Sequence, residues 1–174
     1  TWEIFENIYR GLLAYPAGET NLVPGLAESY DVVDSGKGYV FKLKKGVKFS
    51  DGTPFDANAV KWSIDRVMKI AGDPSWLVTD FVESVQVLDK YRVKFNLKNP
   101  VAYFPSLVAT VPYYPVNPNI YPADKIITNP SELKGGKLVG LGAYRVIFFK
   151  RDQQIALEAN PYYAGEKPKN DMIM

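Results

Sequence analysis

The sequence predicts an α+β fold, a small mixed or antiparallel sheet with covering helices. Three observations carry that expectation. Residues 39–43 alternate apolar and polar, as a half-buried strand does. Residues 57–70 repeat apolar side chains at three and four, the helical period. Residues 28–98 contain two similar hairpin-like units, one on either side of that helix. A sheet with one apolar face must be covered, and a helix with an apolar stripe covers it.

The elements follow in order. The chain opens in a helical pattern, Trp2-Glu3-Ile4-Phe5-Glu6-Asn7-Ile8-Tyr9. The first hairpin unit runs from Glu28-Ser29 through Val33-Asp34 and a Ser35-Gly36-Lys37-Gly38 turn into a strand whose Tyr39, Phe41 and Leu43 share one face. Lys45-Gly46 breaks the run, Val47-Lys48-Phe49 reads as a second short strand, and Ser50-Asp51-Gly52-Thr53-Pro54 reads as a turn. Asp56 is placed to cap a helix carrying Val60, Ile64, Val67 and Met68 on one stripe. Ala71-Gly72-Asp73-Pro74 breaks that helix, and Ser75 is a second candidate cap, for a short turn bearing Trp76 and Leu77. The second unit runs from Glu83-Ser84 through Leu88-Asp89 to Phe95-Asn96-Leu97-Lys98. From Val101 to Pro130 six prolines forbid long regular elements, and Tyr103, Phe104, Tyr113, Tyr114 and Tyr121 are the expected packing groups. Strands are expected again at about 143–149 and 154–159, and the last four residues begin another extended apolar segment.

Composition narrows the function. The 174 residues carry a net charge of +2 with both signs interspersed, which gives no reason to propose nucleic acid as a partner. Lys42, Lys44, Lys45 and Lys48 read as the solvated side of a hairpin. The absence of Cys removes disulfides and thiol chemistry, and the absence of His removes the commonest general base and metal ligand. No cofactor is implied. No stretch approaches the roughly 20 apolar residues that span a bilayer. No leader precedes the first helical residues, and both ends read as cut from a longer chain.

From Phe41 to Arg66 the pattern F-x-L-x-x-G-V-K-F-S-D-G-T-P-F-x-A-x-x-V-x-x-S-x-x-R resembles the family 5 solute-binding proteins of ABC importers, the oligopeptide, dipeptide and nickel type. Pro24-Gly25-Leu26-Ala27-Glu28-Ser29-Tyr30, Gly142-Ala143-Tyr144-Arg145 and Asn160-Pro161-Tyr162-Tyr163 fall in the family's order. The resemblance implies part of a type-II periplasmic-binding-protein-like fold. Residues 1–12 would belong to the first lobe, 13–139 to a small second domain bearing the signature, and 140–174 to the chain's return into the first lobe. Gly135-Gly136 and Gly140-Leu141-Gly142 would mark a crossing where glycine absorbs backbone change. It further implies an extracytoplasmic receptor, periplasmic or lipid-anchored and monomeric, that captures oligopeptides by closure of two lobes and delivers them to an ABC permease, with an oligosaccharide as the alternative solute. A receptor domain without transport is the alternative of another class.

Rival chemistries are weaker. Asp51, Asp56 and Asn58 lack calcium-loop spacing. Gly140-Leu141-Gly142 lacks the third glycine of a dinucleotide fingerprint, because position 145 is Arg. Glu28, Glu83, Asp80 and Glu158 are not placed by sequence as a glycosidase pair, and no nucleophile stands beside a base. Most of the 24 aromatic residues are expected in the core. The resemblance singles out Trp76, after the signature helix, and Trp2 as residues facing a solute.

Overall fold

The computed structural model describes residues 2–150 and 153–174, without the side chains of Trp2 and Glu3. The fold is α+β. Helix α1 spans Trp2–Ile8, and a two-residue ladder that the sequence did not announce pairs β1 (Leu13–Ala14) with β2 (Val23–Pro24). The two hairpin units are β3 (Ala27–Val33) with β4 (Gly38–Leu43), and β5 (Val82–Asp89) with β6 (Arg92–Leu97). They join into one antiparallel sheet of order β3-β4-β6-β5, in which Phe41 stands opposite Tyr30 on one side and Val93 on the other.

Tyr39, Phe41 and Leu43 all point into the core and are at most 2% exposed, as the alternation predicts. Rings continue inward from them. Phe41 meets Phe95 edge-on at 5.5 Å, Phe95 lies 5.5 Å from Phe104, and Phe104 meets Tyr113 edge-on at 5.8 Å. Such aromatic pairs add to the area they bury.

Helix α2 (Ala57–Ile70) packs on this sheet. It starts where predicted, because the Asp56 carboxylate accepts from the Asn58 N–H at 2.9 Å and the Ala59 N–H at 3.3 Å. It stops at Ala71, whose backbone is left-handed and whose N–H returns to the Val67 carbonyl. Val60 and Ile64 are buried, while Val67 and Met68 are partly so.

Two local expectations change. Val47-Lys48-Phe49 is not a strand, because the chain turns back at once: Phe49 N–H bonds the Thr53 carbonyl, leaving only an isolated Lys48–Pro54 bridge. Ser75 precedes α3 (Trp76–Thr79) but does not cap it, since its own backbone is already helical and its side chain cannot reach back.

Helix α4 (Phe104–Val108) opens the proline-rich stretch, which is otherwise irregular. A second sheet, ordered β7-β8-β9, comprises β7 (Tyr144–Lys150), β8 (Gln154–Ala159) and β9 (Met172–Ile173). With α1 it builds a separate core of Ile8, Tyr9, Tyr121, Leu133, Tyr144, Val146 and Leu157. No helix among the described residues is long and apolar enough to cross a membrane.

Between the two cores the backbones of residues 7–8 and 140–142 run in contact. Gly142 N–H bonds the Ile8 carbonyl at 2.8 Å, Ser50 bonds Gly140 through both its N–H and its hydroxyl, and Asn160 donates to the Gly142 carbonyl at 2.9 Å. A Cβ at position 140 would lie 2.1 Å from the Ile8 oxygen, and one at 142 would lie 2.3 Å from the Asn7 oxygen. Neither glycine has a positive φ. At 140 and 142 glycine serves close approach of two backbones, while Gly135 and Gly136 take the positive φ that glycine permits.

Candidate functional site

The signature residues act first as fasteners. Asn117 is buried, and its amide donates to the Asp51 carboxylate at 3.1 Å and to the Thr53 hydroxyl at 2.8 Å. Its own oxygen accepts from the Asn119 N–H at 2.9 Å. One helix face along, the Ser63 hydroxyl donates to the Ala59 carbonyl at 2.7 Å and accepts from the Val116 N–H at 2.9 Å. Arg66 then donates through Nε to the Pro122 carbonyl at 2.6 Å and through Nη2 to the Lys125 carbonyl at 2.7 Å. The irregular segment 116–125 is therefore held by side chains of the turn and of α2. Prolines deny it a ladder of its own, and its polar groups find these partners instead.

This fastening leaves a cavity of about 410 Å³ beside the C-terminal half of α2. Phe5 and Tyr9 of α1 form one wall, and Arg66, Val67 and Ile70 form the second. Residues 72–75, 111–112 and 126–130 close the rest, with Tyr114, Val116, Tyr121, Leu138 and Phe149. The size and mainly apolar lining are those of a small-ligand pocket.

The polar side chains of the lining are those of Asp73, Ser75, Thr128 and Asn129, together with Arg66 and the tyrosines. The Tyr9 and Tyr121 hydroxyls share a hydrogen bond, and Arg66 lies over the Tyr121 ring at 6.0 Å. Burial raises the Tyr9 hydroxyl well above the ordinary phenol range, with Tyr121 pushing the same way. Burial likewise pushes Tyr121 up to about 12, against the opposing pull of Tyr9, the Val139 N–H and Arg66. Burial lowers Arg66, which the two tyrosines partly offset. Both phenols are therefore neutral donors at neutral pH, and the guanidinium stays charged. Among the described residues Arg66 has no carboxylate partner within ion-pair distance, and no group of acidic side chains is placed to hold a metal ion.

Trp76, singled out by sequence, is not among the residues lining this cavity. It begins α3 directly after Ser75, which lines the cavity, and is 53% exposed. Trp2 begins α1, and its side chain lies outside the described residues. Sequence reading missed Phe5, Tyr9 and Tyr121 as a group, and noted Arg66 only within a pattern. A cation one helical turn before Ile70, beside Val67 on a half-buried face, was the available signal.

A family model described as bacterial extracellular solute-binding proteins, family 5 middle, matches residues 21–174. The probable D,D-dipeptide-binding periplasmic protein of Escherichia coli is 30% identical over 171 residues, covering 96% of this chain and 33% of the relative. The crystal structure of NikA from Brucella suis in complex with Fe(III)-EDTA superposes with a TM-score of 0.83 at 29% identity, covering 95% of this chain and 32% of that one. DppA from Helicobacter pylori, in complex with the peptide STSA, superposes with a TM-score of 0.77 at 26% identity, covering 95% and 36% respectively. The chain spans about a third of the length of the curated relatives it matches.

Proposed function

This chain belongs to the bacterial extracellular solute-binding proteins of family 5, and we propose that it is part of the substrate-binding component of an ABC importer that captures short peptides. The observation that carries the reading is the 30% identity to a probable D,D-dipeptide-binding periplasmic protein along 96% of the chain. The likeness to a peptide-bound DppA supports it further. In this reading two lobes close on the peptide outside the cytoplasm, and the closed monomer docks on a membrane permease. Closure is a population shift, driven only by contacts that exist when the cleft is shut. A peptide is held mainly through its main chain, as an added strand. Residues 1–12 and 140–174 serve the first lobe and 13–139 the small second domain. Trp76, whose indole is half exposed, and Trp2 face the solute.

Calorimetric titration of the full-length parent with di- and tripeptides, with cello- and manno-oligosaccharides and with a metal chelate tests this reading. Saturable heat from peptides is expected, and it should weaken when Trp76 is replaced by Ala. Tight sugar or chelate binding with no peptide response overturns it.

A further inference from the structure

One end of the four-stranded sheet carries cations that the chain does not neutralise. Lys42 and Arg92 stand opposite each other on β4 and β6, so the turn at 44–48 and the turn at 90–91 leave the sheet at the same end. Lys42 is paired with Glu28, and Arg92 with Asp89. Beyond them lie Lys44, Lys45, Lys48 and Lys90. Among the described residues none of these four is within ion-pair distance of a carboxylate. The acids beside Lys90 are already engaged: Asp89 holds Arg92 and accepts from the Tyr91 N–H at 2.9 Å, and Asp56 caps α2. Aromatic rings gather the free ammonium groups. Lys45 and Lys90 lie over the same Tyr91 ring, at 5.7 and 5.4 Å, and Lys48 lies over the Tyr162 ring at 5.8 Å. Tyr91 packs partly buried against the core, so it is a fixed point for two long, exposed side chains. The net charge of the chain is only +2, which these four lysines exceed, so this end is positive against a net negative remainder.

We propose that this end of the sheet rests on an anionic phospholipid surface, with Lys44, Lys45, Lys48 and Lys90 against the headgroup phosphates. This role is separate from solute capture and uses none of the cavity beside α2. Charge complementarity carries it, since basic clusters are drawn to anionic lipid. Lysine is a point charge without the rigid fork that selects one carboxylate, which suits a field of many phosphates. A surface built for a specific protein is depleted of lysine at its centre and rests on an aromatic or arginine anchor. Here the ammonium groups lie over the rings and present charge first.

Sedimentation of the full-length protein, free of any attached lipid, with vesicles tests this. The expected result is binding to phosphatidylcholine vesicles that contain about one third phosphatidylglycerol, and none to phosphatidylcholine alone. Binding should vanish at about 1 M salt, where the screening length is about 3 Å. K90E and K69E change the net charge equally at opposite ends of α2. The Ala57 N–H bonds the Lys90 carbonyl, and Lys69 stands about 18 Å further along the helix. K90E, and K45E in the neighbouring turn, should each weaken vesicle binding by about tenfold, and K69E by less than about twofold. The side chains of Lys45, Lys69 and Lys90 are exposed, so the fold tolerates each change. Peptide affinity by calorimetry should be the same in K90E as in the parent, so failure of vesicle binding and failure of peptide capture are read separately. No binding to the phosphatidylglycerol vesicles, or equal loss in K90E and K69E, overturns the proposal. Binding of poly-glutamate without binding of vesicles gives the cluster to an acidic protein surface and overturns it too.

Discussion

The four-stranded sheet and the irregular segment 116–125 meet the same requirement by opposite means. Every strand of the sheet bonds its backbone to a neighbour, and the rings of Phe41, Phe95, Phe104 and Tyr113 fill the space beneath it. The segment bonds instead to single side chains, Asn117 to the Asp51 turn and Ser63 and Arg66 from α2. A ladder shares its load over many equivalent bonds. A segment pinned at a few points, these with the Tyr9–Tyr121 and Lys125–Glu132 pairs, depends on each of them, so the two regions should fail differently.

Phe41→Ala offers the largest test. Removing a ring that is fully buried should cost about 3–5 kcal/mol and lower the denaturation midpoint of the whole chain. Chemical denaturation followed by fluorescence and by circular dichroism should show one coincident loss. Separate transitions would mean that the sheet and its surroundings are not one cooperative unit.

Asn117→Ala sharpens the contrast. It strips acceptors and donors from Asp51, Thr53 and the Asn119 N–H at a buried position, for about 2 kcal/mol. Its signature is local: amide exchange should quicken at residues 116–125 while the amides of β4 and β6 keep their protection. Uniform acceleration across both regions would mean that the segment and the sheet open as one unit.

The smallest effect is a titration. Lys125, with Thr128 and backbone N–H groups, holds the Glu132 carboxyl down to about 2. Its folded value is depressed, so its contribution is fully present above the ordinary glutamate range. That contribution is lost as pH falls toward about 2. A carbon-detected titration of the Glu132 carboxyl should show that low midpoint, and Lys125→Ala should return it toward the ordinary value. An unshifted carboxyl in the parent protein would remove the Lys125 tether at the edge of the cavity.

The same contrast explains what could be read from the residues. Alternation at 39–43, the Asp56 cap and the period of α2 are local, and each survived because neighbours in sequence decide it. Asp51 and Thr53 were legible as a turn, yet their bonds to Asn117 span more than sixty residues, and no periodicity encodes that reach. The failed strand at 47–49 shows the same limit, since Val47 and Phe49 are buried as the pattern expected but in a turning backbone. The cavity was hidden for the same reason. Arg66 sits on an ordinary helix face until the proline-rich segment folds over it and brings Tyr121 to the same wall.

The seam at Gly140 and Gly142 has a genetic consequence. Every single-base missense change in a glycine codon produces a residue with a β-carbon, and at both positions that carbon lands on a carbonyl oxygen of the opposing backbone. No conservative step is open at either codon. In a saturation library scored for folding, these two columns should empty completely while the proline-rich stretch nearby tolerates many letters.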